Sequence, residues 1–285
     1  RGNRHGVSRE FDARGTLRRE EHLVDGQAVG EQKQFAEAGH LQRLTFFVDR
    51  RAAVTLGLLA DGSFSELRCA GQSLLPQDRA PCGHAGKVSD VTLFHEPGKP
   101  GGKVRYLAGQ LQYQAIFDER GETVRTEEVK DGRRIKRVYY PSGQLRSEAD
   151  FIDRDPSASE GREGVAREWA EGGQLTQETQ WADGQEQTIR QWYLNGRIKL
   201  HQVIERDGRH QRRHTESFWD NGQPAAINTD RNGRLLGWQK YFDEAGVLRR
   251  EDEHGDRGVL LRRKQYSTQG VLEKDERFLP DGSRV

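Results

Sequence analysis

The chain has 285 residues, of which 33% are hydrophobic and 32% charged, and its 46 basic and 45 acidic residues leave a net charge of +1. This balance excludes a strong overall field that would draw the chain to nucleic acid or a membrane, and no apolar run of about 18 residues indicates a transmembrane helix. So few apolar residues favour a thin repeat array over one thick core, because each repeat buries one face against its neighbours.

A short motif begins at the N-terminus and recurs along the whole chain: an aromatic residue, three further residues, a glycine, and an apolar residue two positions later. Its first copy is Phe11, Gly15 and Leu17. The spacing predicts a three-residue hairpin loop, in which a type I turn is followed by a glycine with positive φ. The aromatic residue then lies directly across from the apolar residue. We assign residues 1–64 to N-terminal repeats of one array that covers residues 1–285.

The next segment, residues 65–92, interrupts the motif and is predicted to be an irregular insertion that contains both cysteines. Cys69 and Cys82 lie among prolines, and a disulfide suits a loop without secondary structure of its own. Free thiols, or a zinc site with His84 as a third ligand, are the alternatives. No fourth ligand is evident nearby, so we expect no metal.

Residues 93–285 carry the main repeats, with an exposed loop predicted at 152–164, where breaker residues cluster. A second turn follows each anchor glycine by about a dozen residues, and at five places its signal is Asn-Gly or Asp-Gly. The chain therefore reverses at short intervals, which predicts an all-β meander of short strands. The anchor glycines are Gly15, Gly39, Gly62, Gly98, Gly121, Gly143, Gly173, Gly196, Gly222, Gly246, Gly270 and Gly282.

Three repeats carry a second large aromatic residue, three positions before the glycine, where most copies have a small or polar residue. These residues are Tyr140, Tyr193 and Trp219. They are predicted to point away from the main aromatic face, and exposed aromatic residues often mark an interface. With Trp181 and Trp238 they form our candidate partner-binding surface. The alternative is a second packed layer, because aromatic residues commonly serve packing.

No catalytic signature is present in the sequence. Gly98–Val104 resembles a phosphate loop but lacks the Ser or Thr after its lysine, and Pro100 removes a backbone donor. His201, His210 and His214 flank a turn and are expected to face solvent, with His201 nearly opposite His214. The basic stretch around them, residues 206–214, contains acids that favour a solvated hairpin over a nucleic-acid patch. We therefore expect neither an enzyme nor a cofactor, and no catalytic residue.

The run Tyr139-Tyr140-Pro141-Ser142-Gly143-Gln144-Leu145-Arg146-Ser147-Glu148 resembles the consensus of MORN-type repeats, and is most similar to the variant in bacterial proteins known as YwqK-family antitoxins. The resemblance implies tandem β-hairpins that form one extended, curved antiparallel sheet. It also implies a scaffold or binding surface, since MORN-like arrays have been linked to lipid head groups and bacterial variants often accompany toxin genes.

We therefore expect a non-enzymatic antitoxin or immunity protein that binds and occludes a cognate secreted toxin, with a type VI secretion phospholipase effector as one candidate. The alternative is an envelope-associated MORN scaffold that contacts lipid head groups, although the even charge balance does not favour membrane contact. The chain starts at Arg1 and contains no methionine. A removed signal peptide would place the protein in the periplasm or another exported location; a trimmed start would leave a cytoplasmic location open.

Overall fold

A computed structural model describes residues 3–70, 81–83, 87–152, 161–279 and 281–285. The described residues form antiparallel strands joined by hairpins, which confirms the predicted all-β repeat fold. The part of the chain that is described contains no helix long and apolar enough to span a membrane. The chain divides into two units, Arg1–Gly143 and Gln144–Val285.

The first unit holds eleven strands, each paired with the next within two runs, β1 to β6 and β7 to β11. The strands are β1 (Gly6–Phe11), β2 (Leu17–Val24), β3 (Gln27–Phe35), β4 (Leu41–Val48), β5 (Arg51–Leu58), β6 (Phe64–Cys69), β7 (Val88–Glu96), β8 (Lys99–Leu107), β9 (Gln110–Phe117), β10 (Thr123–Lys130) and β11 (Arg133–Tyr139).

The second unit continues the same pattern, and only at β18 does one strand pair with both β19 and β20 on the same side. Its strands are β12 (Leu145–Ile152), β13 (Arg162–Trp169), β14 (Leu175–Ala182), β15 (Gln185–Trp192), β16 (Ile198–Asp207), β17 (His210–Phe218), β18 (Pro224–Arg231), β19 (Arg234–Leu235), β20 (Gly237–Phe242), β21 (Leu248–His254), β22 (Leu260–Tyr266) and β23 (Leu272–Arg277).

The strand ladder extends into both segments that were predicted to be irregular. Within residues 65–92, β6 reaches Cys69 and β7 starts at Val88. Residues 71–80 and 84–86, which include His84, lie outside the described residues. Of the loop predicted at 152–164, residues 153–160 also lie outside them, and β13 already begins at Arg162.

The anchor glycines adopt the predicted left-handed conformation, which confirms the hairpin loop. Gly196 has a φ of 81°, and its N–H donates to the Tyr193 carbonyl at 2.9 Å. The Tyr193 N–H donates to the Arg197 carbonyl at 2.9 Å, which closes the loop. A residue with a Cβ is strained at this φ, and for this reason glycine recurs there. As predicted, the aromatic residue lies across from the apolar one, as in the pair Trp192 and Ile198.

One of the Asn-Gly and Asp-Gly turns, at Asp207-Gly208, has a loop that differs from the predicted one. Asp183 and Gly184 both have positive φ, 51° and 72°, as a type I′ turn requires. At Asp207-Gly208, only the glycine has positive φ, and Asp207 pairs with His210 as the last residues of the ladder. The loop is therefore Gly208 and Arg209, one position later than the sequence suggested.

Burial is thin, in line with the composition, and the repeat aromatic residues are mostly half-buried rather than fully enclosed. A hydrophobic cluster in the first unit contains Val54 (1% exposed), Leu67 (3%) and Tyr106 (5%). Cys69 and Cys82 are joined by a disulfide across a Cα–Cα distance of 5.9 Å, and Cys82 is fully buried in that cluster. The disulfide therefore ties the segment after β6 to the thickest apolar packing of this unit.

In the second unit several of the most buried side chains are polar. Gln239 is 0% exposed and hydrogen-bonds the backbone where the pairing of β18 passes from β19 to β20. Its Oε1 accepts the Thr229 N–H at 2.8 Å, and its Nε2 donates to the Leu236 carbonyl at 2.8 Å, with the Thr229 carbonyl at 3.1 Å. Buried polar groups are stable only when hydrogen-bonded. The Gln239 side chain therefore replaces the backbone hydrogen bonds that are missing between β19 and β20.

Candidate functional site: a charged sheet face

The register of the second unit aligns one residue from each of eleven strands in a single row across the sheet. We call this set the charge row, and the side of the sheet that carries it the charged face. Acids and bases alternate along most of the row. Its members, in order, are Glu148, Arg167, Glu178, Arg190, His201, Glu216, Ile227, Lys240, Glu251, Lys264 and Asp275.

Acids in the charge row bind bases on the strands beside them. Glu178 accepts a hydrogen bond from Arg167 Nε at 2.9 Å and lies 3.7 Å from Arg190 Nη1. Glu251 lies 3.9 Å from Lys240 Nζ and 3.7 Å from Lys264 Nζ. Opposite charges in directly facing positions stabilise a sheet by some tenths of a kcal/mol for each pair. The row therefore satisfies its own charges and creates no large field of one sign.

Glu251 is the most enclosed carboxylate of the row among those with a described ion pair, with a side chain 14% exposed. The Tyr266 hydroxyl donates to its Oε2 at 2.6 Å. This hydrogen bond to a carboxylate, together with burial, raises the pKa of Tyr266 to about 12. Tyr266 therefore stays protonated at neutral pH and fixes the Glu251 carboxylate on the charged face.

Trp238 lies on the charged face, because it is two residues before Lys240 on β20 and alternate residues of a strand share a side. It is 37% exposed. Lys264 Nζ lies 4.8 Å from the centroid of its ring, and the Arg262 guanidinium lies 6.0 Å away. The structure therefore presents an exposed indole among cations, a combination that is common at the centre of protein interfaces.

Two of the predicted partner-binding residues, Tyr193 and Trp219, are half-buried and contact the next hairpin turn. The Tyr193 hydroxyl donates to the Phe218 carbonyl at 2.8 Å, and Trp219 Nε1 donates to the Phe242 carbonyl at 3.3 Å. Asn195 Nδ2 repeats the pattern by donating to the next turn. These bonds give both aromatic residues a packing role between repeats; a partner-binding role for them stays a prediction.

The other two predicted aromatic residues lie elsewhere. Tyr140 is half-buried in its turn, where its carbonyl accepts the Gly143 N–H at 2.8 Å. Trp181 is half-buried on the side of the sheet opposite to the charged face, two residues from Thr179, with the Arg162 guanidinium 4.9 Å from its ring centroid. A flat partner on the charged face would therefore contact Trp238 and not Trp181.

The histidines of the second unit do not form a metal site. His201 lies opposite Glu216, not nearly opposite His214 as expected, because the turn loop is one position later than assumed. His201 Nδ1 and His214 Nε2 each lie 3.7 Å from a Glu216 oxygen. Among the described residues, no three or more His, Cys, Asp or Glu side chains converge in a way that could hold a metal ion.

An open recess of about 350 Å³ lies in the first unit, on β1 to β3. The acids that line it already have partners. Glu20 accepts from Arg9 Nε at 2.6 Å, which lowers the pKa of the Glu20 carboxyl, and Glu21 accepts from Gln32 Nε2 at 2.7 Å. Since its carboxylates are satisfied within the sheet, this recess is a weaker candidate than the charged face.

Sequence reasoning missed the charge row, although the sequence contains a signal for it. In the five copies from Trp169 to Tyr266, the residue two positions before the repeat aromatic is charged, and the residue five positions after the anchor glycine supplies the facing members. The first set is Arg167, Arg190, Glu216, Lys240 and Lys264, and the second is Glu148, Glu178, His201, Ile227, Glu251 and Asp275. Only the strand register shows that the two sets alternate along one line.

Comparison with known proteins supports the repeat class. The family model described as MORN repeat variant matches residues 135–153, and this supports a MORN-type repeat protein. A search of curated proteins gives no match.

Among solved structures, a chain in the crystal structure of TcdB2-TccC3-Cdc42 is 12% identical with a TM-score of 0.21, over 98% of this chain and 18% of that one. A chain in the crystal structure of TcdB2-TccC3-TEV is 11% identical with a TM-score of 0.23, over 98% of this chain and 17% of that one. The present chain thus spans less than a fifth of either, and TM-scores this low carry no argument.

Proposed function

We propose that this chain is a non-enzymatic antitoxin or immunity protein of the YwqK-like kind, which binds a cognate secreted toxin and occludes it. The observation that carries the proposal is the charged face: an ordered row of alternating charges with an exposed tryptophan beside it. A rigid hairpin sheet can present a standard interface of about 1,600 Å². Occlusion needs no reacting group on the binding protein, so the mechanism is steric.

The charge row suits specificity better than raw affinity. Each acid or base in it has a fixed place, so a partner with the complementary order of charges fits in one register only. Trp238 would supply the desolvated anchor that such a polar surface lacks, since interface energy concentrates in a few aromatic and arginine side chains. The even net charge supports a protein partner over a nucleic acid or a lipid surface.

The proposal is tested by co-expressing the chain with the product of the neighbouring gene in a sensitive bacterium, with and without export of both. We expect growth to be rescued and the two proteins to co-purify as a stable complex. Growth arrest despite equal expression, together with no complex of the purified proteins, would contradict the proposal. Binding to lipid vesicles instead of the protein would favour the envelope scaffold.

The place of contact is tested separately with Trp238→Ala and the matched control Trp181→Ala. We expect Trp238→Ala to weaken binding by at least about tenfold, which corresponds to about 1.4 kcal/mol. Trp181→Ala, on the other side of the sheet, should leave the affinity unchanged once folding has been verified. Equal losses for the two variants would show that the charged face is not the contact surface.

A further inference from the structure

A second row on the charged face consists of three arginines, and it breaks the alternation seen elsewhere. Arg212 on β17 lies directly opposite Arg231 on β18, and Arg231 lies directly opposite Arg234 on β19. All three are exposed. Neighbouring strands are about 4.8 Å apart, so three guanidinium groups project from one short line. We call this set the arginine row.

The arginines of the row form no ion pair among the described residues. In the described part of the chain, none of the three side chains lies within ion-pairing distance of a carboxylate. The adjacent Arg213 points to the other side of the sheet, where its Nε lies 3.1 Å from Asp230 Oδ2. Like charges in facing positions destabilise a sheet. The three arginines therefore carry positive charge that no ion pair in the described part of the chain satisfies, and an external anion can bind them.

We propose that the arginine row binds carboxylates of an acidic segment on a protein partner. Arginine presents a rigid fork of donors that matches a carboxylate with two parallel hydrogen bonds. Arg212 is four residues before Glu216 on β17, and Trp238 is two residues before Lys240 on β20, so both lie on the charged face. The arginines and the exposed indole thus belong to one surface.

Acidic neighbours of the arginine row select a protein over a phosphate polymer or a bilayer. Glu205 lies opposite Arg212 in the same line, Asp207 ends the adjacent strand β16, and Asp256 lies in the turn between β21 and β22. A continuous run of phosphates would also lie over these carboxylates and be repelled. Acidic side chains that are spaced apart on a protein can face the arginines without lying over the acidic side chains of this chain.

This inference deepens the proposed function and rests on it for the identity of the partner, but its test does not need the toxin. The probe is a fluorescently labelled peptide in which glutamates alternate with glycine and serine, with binding followed by anisotropy at low and moderate salt. The variant is Arg212→Gln/Arg231→Gln/Arg234→Gln. The control, Lys103→Gln/Arg120→Gln/Lys130→Gln, removes the same charge from exposed positions of the first unit.

We expect the wild-type chain to bind the peptide with an affinity that falls as salt rises. The arginine-row variant should weaken binding at least about tenfold, and the control less than about twofold. The melting temperature of the arginine-row variant should equal or exceed that of the wild type, because a like-charge contact is removed. Absence of wild-type binding, or equal losses in variant and control, would overturn the inference.

Two further probes test the kind of anion. Vesicles that contain phosphatidylserine and a single-stranded oligonucleotide should bind more weakly than the peptide and show less dependence on the arginine row. Stronger binding of either one that the variant abolishes would overturn the assignment to protein carboxylates. Peptide binding without growth rescue would instead support the inference about the arginine row and reject the antitoxin role. Failure of the inference and failure of the proposed function are therefore distinguishable.

Discussion

At the scale of single residues, the second unit depends on a few enclosed polar side chains in place of a thick apolar core. Asp252 is an example, with a side chain 4% exposed. Arg263 donates two hydrogen bonds, of 2.8 and 2.9 Å, to the Asp252 carboxylate, and Arg250 Nε lies 3.3 Å from Asp252 Oδ2. A carboxylate this enclosed is stable only because both cations are held beside it.

We predict that Asp252→Asn lowers the free energy of unfolding by about 2 kcal/mol, because the two guanidinium groups lose their counter-charge while they stay partly enclosed. Asp275→Asn is the control: Asp275 also binds an arginine with two hydrogen bonds, but its side chain is 34% exposed, so the loss should be clearly smaller than for Asp252→Asn. Urea unfolding measures both, and equal losses would contradict the role given to burial.

Tyr266 gives a prediction about alkaline pH. Its pKa is raised to about 12 from 10.0, chiefly by its hydrogen bond to Glu251. Between these values the folded chain keeps a proton that the unfolded chain has released, so the free energy of unfolding falls as pH rises from 10.0 towards about 12. Urea unfolding over this range should show a smaller fall for Tyr266→Phe than for the wild type. Identical slopes would reject the hydrogen bond as the cause.

At the scale of elements, two successive anchor turns of the second unit, at Gly196 and Gly222, are each tied to the next anchor turn by their own side chains. Tyr193 and Trp219 occupy the same position in successive repeats and donate to the carbonyls of Phe218 and Phe242. Asn195 and Asn221, one position before the anchor glycine, do the same to Asp220 and Glu244. The repeats are thus connected at their turns as well as through the strand ladder.

Tyr193→Phe separates a packing role from a partner-binding role for this position. If the hydroxyl serves packing, the variant should lose about 1 kcal/mol of unfolding free energy and keep its affinity for the partner. Tyr241→Phe is the control, since the Tyr241 hydroxyl has no hydrogen-bond partner in the described ranges, and it should lose less than about 0.5 kcal/mol. Unchanged stability with weakened binding for Tyr193→Phe would assign the residue to the interface.

At the scale of the whole molecule, strands contact mainly their sequence neighbours, so stability is expected to be local, as in other repeat proteins. The apolar cluster of the first unit and its disulfide form one such local centre. In a solenoid-like array a perturbation propagates only as far as the neighbouring interfaces carry it. Different parts of this chain should therefore open independently.

Reduction of the Cys69–Cys82 disulfide tests this expectation. With a sequence separation of 13 residues, the bond should contribute about 3 kcal/mol through the entropy of the unfolded chain. We expect hydrogen exchange after reduction to accelerate mainly in β5, β6 and β8, whose residues form the cluster. Amides of β20 to β22 serve as the internal reference. Uniform acceleration throughout the chain would contradict local stability.

The sequence alone determined the kind of fold, because glycine at positive φ and an aromatic residue four positions earlier are constraints within one hairpin. The anchor turns and the facing of residues such as Trp192 and Ile198 follow from such local rules. The thin burial of the described residues follows from the small apolar fraction of the sequence. Even there, one turn loop lay a position later than predicted, because the sequence does not show which of Asp207 and Arg209 joins Gly208 in the loop.

Only the tertiary structure decided which side chains share a surface. The alternation of the charge row, the alignment of Arg212 with Arg231 and Arg234, and the placement of Trp181 and Trp238 on opposite sides all depend on the register between strands. A shift of one residue moves every side chain to the other side of a sheet. Local patterns fix each hairpin, but the side chains that share a surface are known only once the register between all neighbouring strands is known.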